Sequence, residues 1–215
     1  MKNANDGVAV LQTAESGYQS ISDLLIRMRE LAVQSANDSV SNTERNYLDT
    51  EFQDLISEID RISAVVEYNG IQLLDGTSGS AGDGTMVFQV GTRDSANDRI
   101  QIKLQTQTAS ALSVDTDEIN TQLAAQASIT AIDSALELLS TDRAQIGSTI
   151  NTLNVAVDGL GSSIENYGNA MSQIKDTDMA EESSAFSKNN VLQQAGVAML
   201  SQANQTPNLV MRLLG

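Results

Sequence analysis

The sequence contains no cysteine and no histidine. Without Cys there are no disulfides and no thiolate metal sites. Without His the chain lacks the usual general base and the commonest metal ligand. Trp is also absent, aromatics make up 3% of the chain, and Pro207 is the single proline. Long helices can build a core from Leu, Ile, Val and Ala, so this composition fits a helical bundle better than an enzyme with a deep pocket. Positive charge is scarce. The 12 Lys and Arg face 28 Asp and Glu, for a net charge of -16 and a pI near 4.1. Such a surface repels phosphate backbones and anionic lipid, so neither nucleic acid nor a membrane is an expected partner. No apolar N-terminal run has the form of a cleavable secretory signal. The uncharged stretch 189–211 is too rich in Gln, Asn and Ser to span a bilayer.

Catalytic patterns are missing too. The Gly-rich stretch 76–84 lacks the Lys-Ser/Thr pair of a phosphate loop and opens no helix. Glu67, Asp75 and Asp83 could be imagined around a calcium ion, but no loop-ligand spacing is present and a solvated surface is expected. No cofactor, metal site or enzymatic activity is expected.

What is present is a long apolar stripe between residues 129 and 174. One row is Ile129, Leu136, Arg143, Ile150, Val157, Ile164 and Met171. The other is Ile132, Leu139, Ile146, Leu153, Leu160, Tyr167 and Ile174. Only Arg143 is neither apolar nor aromatic. A strict seven-residue repeat keeps such a seam on one side of a helix. At about 1.5 Å per residue, a helix over 119–175 would be roughly 85 Å long. The expected fold is therefore mainly α: an elongated antiparallel helical bundle, or coiled-coil-like rod, with a small β-hairpin region. Gly147, Gly161 and Gly168 share one phase beside the seam, which predicts close approach of a neighbouring helix.

A first helix is expected over 8–35, with Leu11, Ala14, Tyr18, Ile21, Leu25, Met28 and Ala32 as its seam and Leu24 and Leu31 widening it. A second starts at Ser41, with Glu44 completing a capping box. Its seam is Leu48, Phe52, Leu55, Ile59, Ile62 and Val66, and Asn69-Gly70 ends it. The short turn makes these two an antiparallel hairpin. Residues 71–84 read as loop. Residues 85–90 and 100–104 read as paired strands, predicted at the far end of the bundle. Residues 105–118 read as a polar bridge into the long helix. Asp176-Thr177-Asp178 interrupts the seam, and residues 186–214 read as a weakly amphipathic helix with few partners within this chain.

Several motifs stand in a distinctive order. Asn3-Ala4-Asn5-Asp6-Gly7 and Gln12-Thr13-Ala14-Glu15 are followed by Arg29-Glu30-Leu31-Ala32-Val33-Gln34-Ser35-Ala36-Asn37. Then come Glu58-Ile59-Asp60-Arg61-Ile62 and Tyr68-Asn69-Gly70. Near the other end are Leu192-Gln193-Gln194-Ala195-Gly196, Gln202-Ala203-Asn204-Gln205 and Leu213-Leu214. Together they resemble bacterial flagellin across essentially the whole chain. The resemblance is to a minimal form, without variable outer domains and without the terminal-helix segment that precedes the first motif in the family.

The resemblance implies a structural subunit of the flagellar filament, extracellular, exported without a cleavable signal peptide and self-assembling with other flagellin subunits. It divides the chain into a rod-domain hairpin (1–70), a β-hairpin with connecting loops (71–118), a long rod helix (119–177) and a terminal-domain helix (178–215). A hook–filament junction protein and a soluble coiled-coil scaffold are the alternatives. It further implies an export chaperone at the C-terminal helix, where Phe186, Val191, Leu192, Met199, Leu200, Leu209, Val210 and Leu213 form the chaperone and polymerisation face. Finally, it implies recognition by a host Toll-like receptor through Arg27, Leu31 and Glu51. Arg27 and Leu31 are four apart on one helix face. Closing the hairpin near Val40 brings Glu51 beside them, and Leu31 is expected to protrude as an anchor.

Overall fold

The computed structural model describes the backbone of residues 1–175 and 178–214, and the side chains of 1–175 and 178–203. Its elements are α1 (Lys2–Ser35), α2 (Asn42–Val65), β1 (Glu67–Tyr68), β2 (Ile71–Gln72), β3 (Thr85–Gln89), β4 (Arg99–Lys103), α3 (Gln122–Lys175) and α4 (Met179–Leu214). A single 3-10 turn, Ala96–Asp98, precedes β4. The chain divides into two compact units, Met1–Ser162 and the residues from Ser163 onward.

In the first unit α1 carries the core. Leu11, Ala14, Tyr18, Ile21, Leu25, Met28 and Ala32 are all fully buried, as their spacing predicts. Burying each Leu- or Ile-sized side chain contributes about 1.5–3 kcal/mol. The helix starts at Lys2, six residues before the expected start. At the start of α2 the hydroxyl of Ser41 accepts the Glu44 N–H (3.3 Å), and the Glu44 carboxylate accepts the Ser41 N–H (2.8 Å). That bond holds the Glu44 carboxyl below the usual range. The buried stripe of α2 is Phe52, Ile56 and Ile59, with Leu48, Leu55, Ile62 and Val66 along its edges.

The turn between α1 and α2 is tied down by a residue that periodicity does not reveal. Arg45 is buried, and its guanidinium donates to the carbonyls of Ser35 (2.7 Å) and Asn37 (2.9 Å) and to Asn42 Oδ1 (2.9 Å). A cation at the last carbonyls of a helix satisfies acceptors that would otherwise be orphaned and complements the helix dipole. Gln122 adds a bond to the Ala36 carbonyl (3.1 Å).

Asn69-Gly70 is not a helix stop. α2 ends at Val65, and Asn69 (φ 52°) and Gly70 (φ 77°) form the turn of a small hairpin between β1 and β2. Two consecutive residues with positive φ are what a two-residue hairpin turn requires, and Asn-Gly is its preferred pair. The second hairpin agrees with expectation. β3 and β4 pair antiparallel, with Met86 opposite Ile102 and Phe88 opposite Ile100. It lies along the first turns of α1, at the end away from the α1–α2 turn, where Phe88 sits against Gly7 and the Asn3 amide donates to the Gln89 carbonyl (3.2 Å).

The segment 105–121 is a packed strap rather than a polar bridge. Gln107, Ala109, Leu112, Val114 and Ile119 are buried. Its backbone is held by the polar face of α2. Asp60 accepts the Ala109 N–H (2.8 Å), Gln53 donates to the Asp117 carbonyl (2.9 Å), and Asp49 accepts the Ile119 N–H (2.7 Å). The strap therefore runs antiparallel to α2. Its backbone groups are paired, which is what allows an irregular segment to be buried.

α3 runs antiparallel to α1. Arg29 pairs with Asp133 (2.6 Å), Glu15 with Arg143 (2.8 Å), and Met1 lies beside Gly161. The row Ile132, Leu139, Ile146 and Leu153 is fully buried, as predicted. The second predicted row is only half buried: Ile129, Leu136, Arg143, Ile150 and Val157 flank the seam. Ala125, Ser128, Ala135 and Asp142 take the buried places instead. The seam is rotated toward these residues.

The glycines of α3 do not mark close approach in the first unit. A Cβ at Gly147 would meet nothing within 4 Å, and one at Gly161 would meet only Met1 Cε at 3.8 Å. Among helical glycines of the described residues, the tight ones are on α1. A Cβ at Gly17 would lie 2.6 Å from Leu74 Cδ1, and one at Gly7 would lie 2.9 Å from Phe88 Cδ1.

The second unit contains the last turns of α3 and α4. α4 begins at Met179, earlier than expected, and the Asp178 carboxylate accepts the N–H groups of Ala180 (2.9 Å) and Glu181 (3.3 Å). The predicted seam break at Asp176 and Thr177 lies outside the described residues.

Candidate interaction surfaces

The α1–α2 hairpin brings Arg27 and Glu51 together. Arg27 donates from Nε (3.0 Å) and Nη2 (2.7 Å) to Glu51 Oε1, and from Nη1 to Glu30 Oε2 (3.1 Å). The bond to Glu51, then that to Glu30, pushes the guanidinium above its ordinary pKa. Both side chains of the interhelical pair are about half exposed, so the pair is an open surface feature. Leu31 does not join them at the surface. It is 1% exposed, which corrects the expectation of a protruding anchor. α1 packs against both α2 and α3, and that needs an apolar stripe wide enough to include Leu31 as well as Met28 and Ala32.

The second surface is apolar. The seam of α3 keeps its phase beyond Gly161, yet Ile164 is 58% exposed, Tyr167 77%, Met171 59% and Ile174 88%. α4 shows the same state. Phe186, Val191, Leu192, Met199 and Leu200 are exposed, and so are Val197 and Met179, which spacing did not single out. The side chains of Leu209, Val210 and Leu213 lie outside the described residues. Scattered apolar residues on a surface are ordinary, but a continuous face of this kind marks an interaction site. The signal for the exposed end of α3 was available in the sequence only as continued periodicity, and periodicity alone cannot say whether a stripe has a partner.

The acidic residues of the loops serve the backbone. Asp75 accepts the N–H (2.8 Å) and hydroxyl of Thr77, and Asp83 accepts the Thr85 N–H (3.0 Å), which holds its carboxyl low. Among the described residues no three acidic side chains are grouped so as to hold a metal ion, and no helix is long and apolar enough to cross a membrane.

These features match known proteins end to end. The family model for the bacterial flagellin N-terminal helical region matches residues 1–79, and that for the C-terminal helical region matches residues 129–214. A flagellin of Halalkalibacterium halodurans is 37% identical over 215 residues, covering 99% of this chain and 76% of that protein. A flagellar filament 31.3 kDa core protein of Treponema maltophilum is 36% identical over 222 residues, covering 99% and 78%. Among solved structures, the crystal structure of Bacillus cereus flagellin matches with a TM-score of 0.64 and 29% identity, over 79% of this chain and 94% of that one. The chain belongs to the bacterial flagellin family, as a structural subunit of the flagellar filament and not an enzyme.

Proposed function

We propose that this subunit self-assembles by burying the apolar faces of α4 and of the last turns of α3 against neighbouring copies in the extracellular filament. The observation that supports this is the exposure of Ile164, Tyr167, Met171 and Ile174, in phase with a seam that is buried earlier in the same helix. Covering such side chains is worth about 1.5–3 kcal/mol each, the scale needed to drive association. Seeded polymerisation of the chain tests the reading. Leu192→Asp with Leu200→Asp should raise the critical concentration at least about tenfold while leaving the melting of the bundle unchanged. Filaments that form at the wild-type concentration would overturn it. Before assembly, the same α4 face is the docking site of an export chaperone, which keeps the monomer from associating.

A second surface supports host recognition. The exposed Arg27–Glu51 pair bridges α1 and α2 and offers a receptor a charged, rigidly held patch, with Leu31 acting from below by fixing the hairpin. Arg27→Ala, folded as wild type, should lower Toll-like-receptor-dependent signalling. Unchanged potency would remove the assignment.

A further inference from the structure

One buried cluster in the first unit has no part in assembly or recognition as described. Asp142 stands at a core position of α3, one heptad beyond Ala135, and is 8% exposed. Its Oδ2 accepts from the side-chain amide of Gln107 (2.8 Å), a fully buried residue of the strap. The same amide donates to the Tyr18 hydroxyl of α1 (3.3 Å) and the Gln105 carbonyl (3.4 Å), and the Tyr18 hydroxyl donates to that carbonyl (3.2 Å). The backbone N–H of Gln107 is bonded to the Leu74 carbonyl (2.8 Å). One side chain thus ties the strap to α1 and α3 together.

Charge and hydrogen-bond accounting leave this cluster short. Arg143 is committed to Oε1 of Glu15, through Nε (2.8 Å) and Nη2 (2.8 Å). The one guanidinium beside the cluster is therefore taken by Glu15, and the partner of Asp142 is a neutral amide. Acceptors are also in surplus: Gln107 Oε1 and Glu15 Oε2 are buried without a hydrogen-bond partner. Buried charge and unpaired acceptors both carry a free-energy cost. One added proton would neutralise the excess charge and supply a donor.

We propose that Asp142, with Gln107, Tyr18, Glu15 and Arg143, forms a proton-operated latch that holds the 105–121 strap on the bundle when protonated and loosens it when the proton leaves. Burial pushes the Asp142 carboxyl above the ordinary Asp range, against a smaller opposite effect of the Gln107 bond. Tyr18 is raised by burial and then by the charge of Asp142, so it stays neutral. The facing charged groups are Glu15 on α1, Arg143 on α3 and, two residues along the strap, Asp60 of α2 at the Ala109 N–H. Asp117, near the far end of the strap, is also raised by burial and then by Asp115. Because burial raises the Asp142 carboxyl in the folded state, the latch is fully present below the ordinary Asp range and weakens as pH rises through the raised one.

The test uses the full chain. Native-state hydrogen exchange is measured at Gln107, Ala109, Leu112 and Val114, relative to amides of the α1–α2 hairpin, at pH 4 and pH 8. Strap protection should fall on the order of tenfold in the wild type and much less in Asp142→Asn, whose neutral amide keeps the acceptor without the charge. A carboxyl NMR titration of the wild type places Asp142 directly and does not depend on the variant folding. An equal fall in both proteins, a pH-independent strap, or an Asp142 that titrates in the ordinary Asp range would each overturn the latch.

Discussion

The two halves of α3 carry the same seven-residue stripe and meet opposite fates. From Ile132 to Leu153 the stripe is sealed, while from Ile164 to Ile174 it stands in solvent. Hydrophobicity does not separate them: Ile and Leu fill the sealed part, and Ile, Tyr and Met the open one. The difference is the neighbour. The earlier turns face α1 across a contact fixed by the Arg29–Asp133 and Glu15–Arg143 pairs. The later turns and α4 have an apolar face of similar kind with no such cover among the described residues. Helical periodicity therefore specifies a face that will be buried, but not whether folding or assembly buries it. On the proposed reading the division is functional: one part of the stripe makes a stable monomer and the other drives the polymer.

Substitutions on the two sides should separate cleanly. Leu153→Ala opens a cavity in the sealed half and should cost about 2–5 kcal/mol in a denaturant titration of the isolated chain. Tyr167→Ala, in the open half, should stay within about 0.5 kcal/mol of wild type. A loss at Tyr167 similar to that at Leu153 would break the comparison.

Glycines sharpen it further. Gly17→Ala forces a methyl against Leu74 and Val66 and should destabilise by about 1–3 kcal/mol. Gly147→Ala enters open space in a helix interior and should stabilise by up to about 1 kcal/mol. Thermal unfolding of the two variants side by side checks the opposite signs.

The smallest effects concern helix starts. Ser41→Ala removes one arm of the α2 capping box and should cost about 1 kcal/mol of bundle stability. Asp178→Ala removes the acceptor for two N–H groups of α4 and should reduce helicity by circular dichroism while leaving the bundle's unfolding midpoint in place.

Much of this was legible in the sequence, and the misses have physical causes. The α1 seam, the Ser41–Glu44 box, the β3–β4 pairing and the Ile132–Leu153 row could be read because local chemistry and packing agree there. Asn69-Gly70 reads as a helix stop because breaker residues announce a turn, while the hairpin depends on strands only two residues long. Arg143 looked like a fault in the seam until Glu15 supplied its partner 128 positions away. Arg45 and Asp142 are ionisable and buried, and no rule of periodicity places such a group inside. Both are held by irregular backbone or a strap that the sequence shows only as polar. Leu31 was legible as a residue at the edge of the α1 stripe. Its burial followed from α1 having two neighbours, and the receptor-facing role taken from family resemblance pointed the other way.

The central claim is that one continuous helix stripe is divided between folding and assembly. Native-state hydrogen exchange along α3 tests it most directly, in the monomer and in the polymer. The account predicts strong protection over 132–153 in both states, with protection over 164–174 weak in the monomer and strong only after assembly. Equal protection of the two segments in the monomer, or no gain over 164–174 on polymerisation, would contradict it.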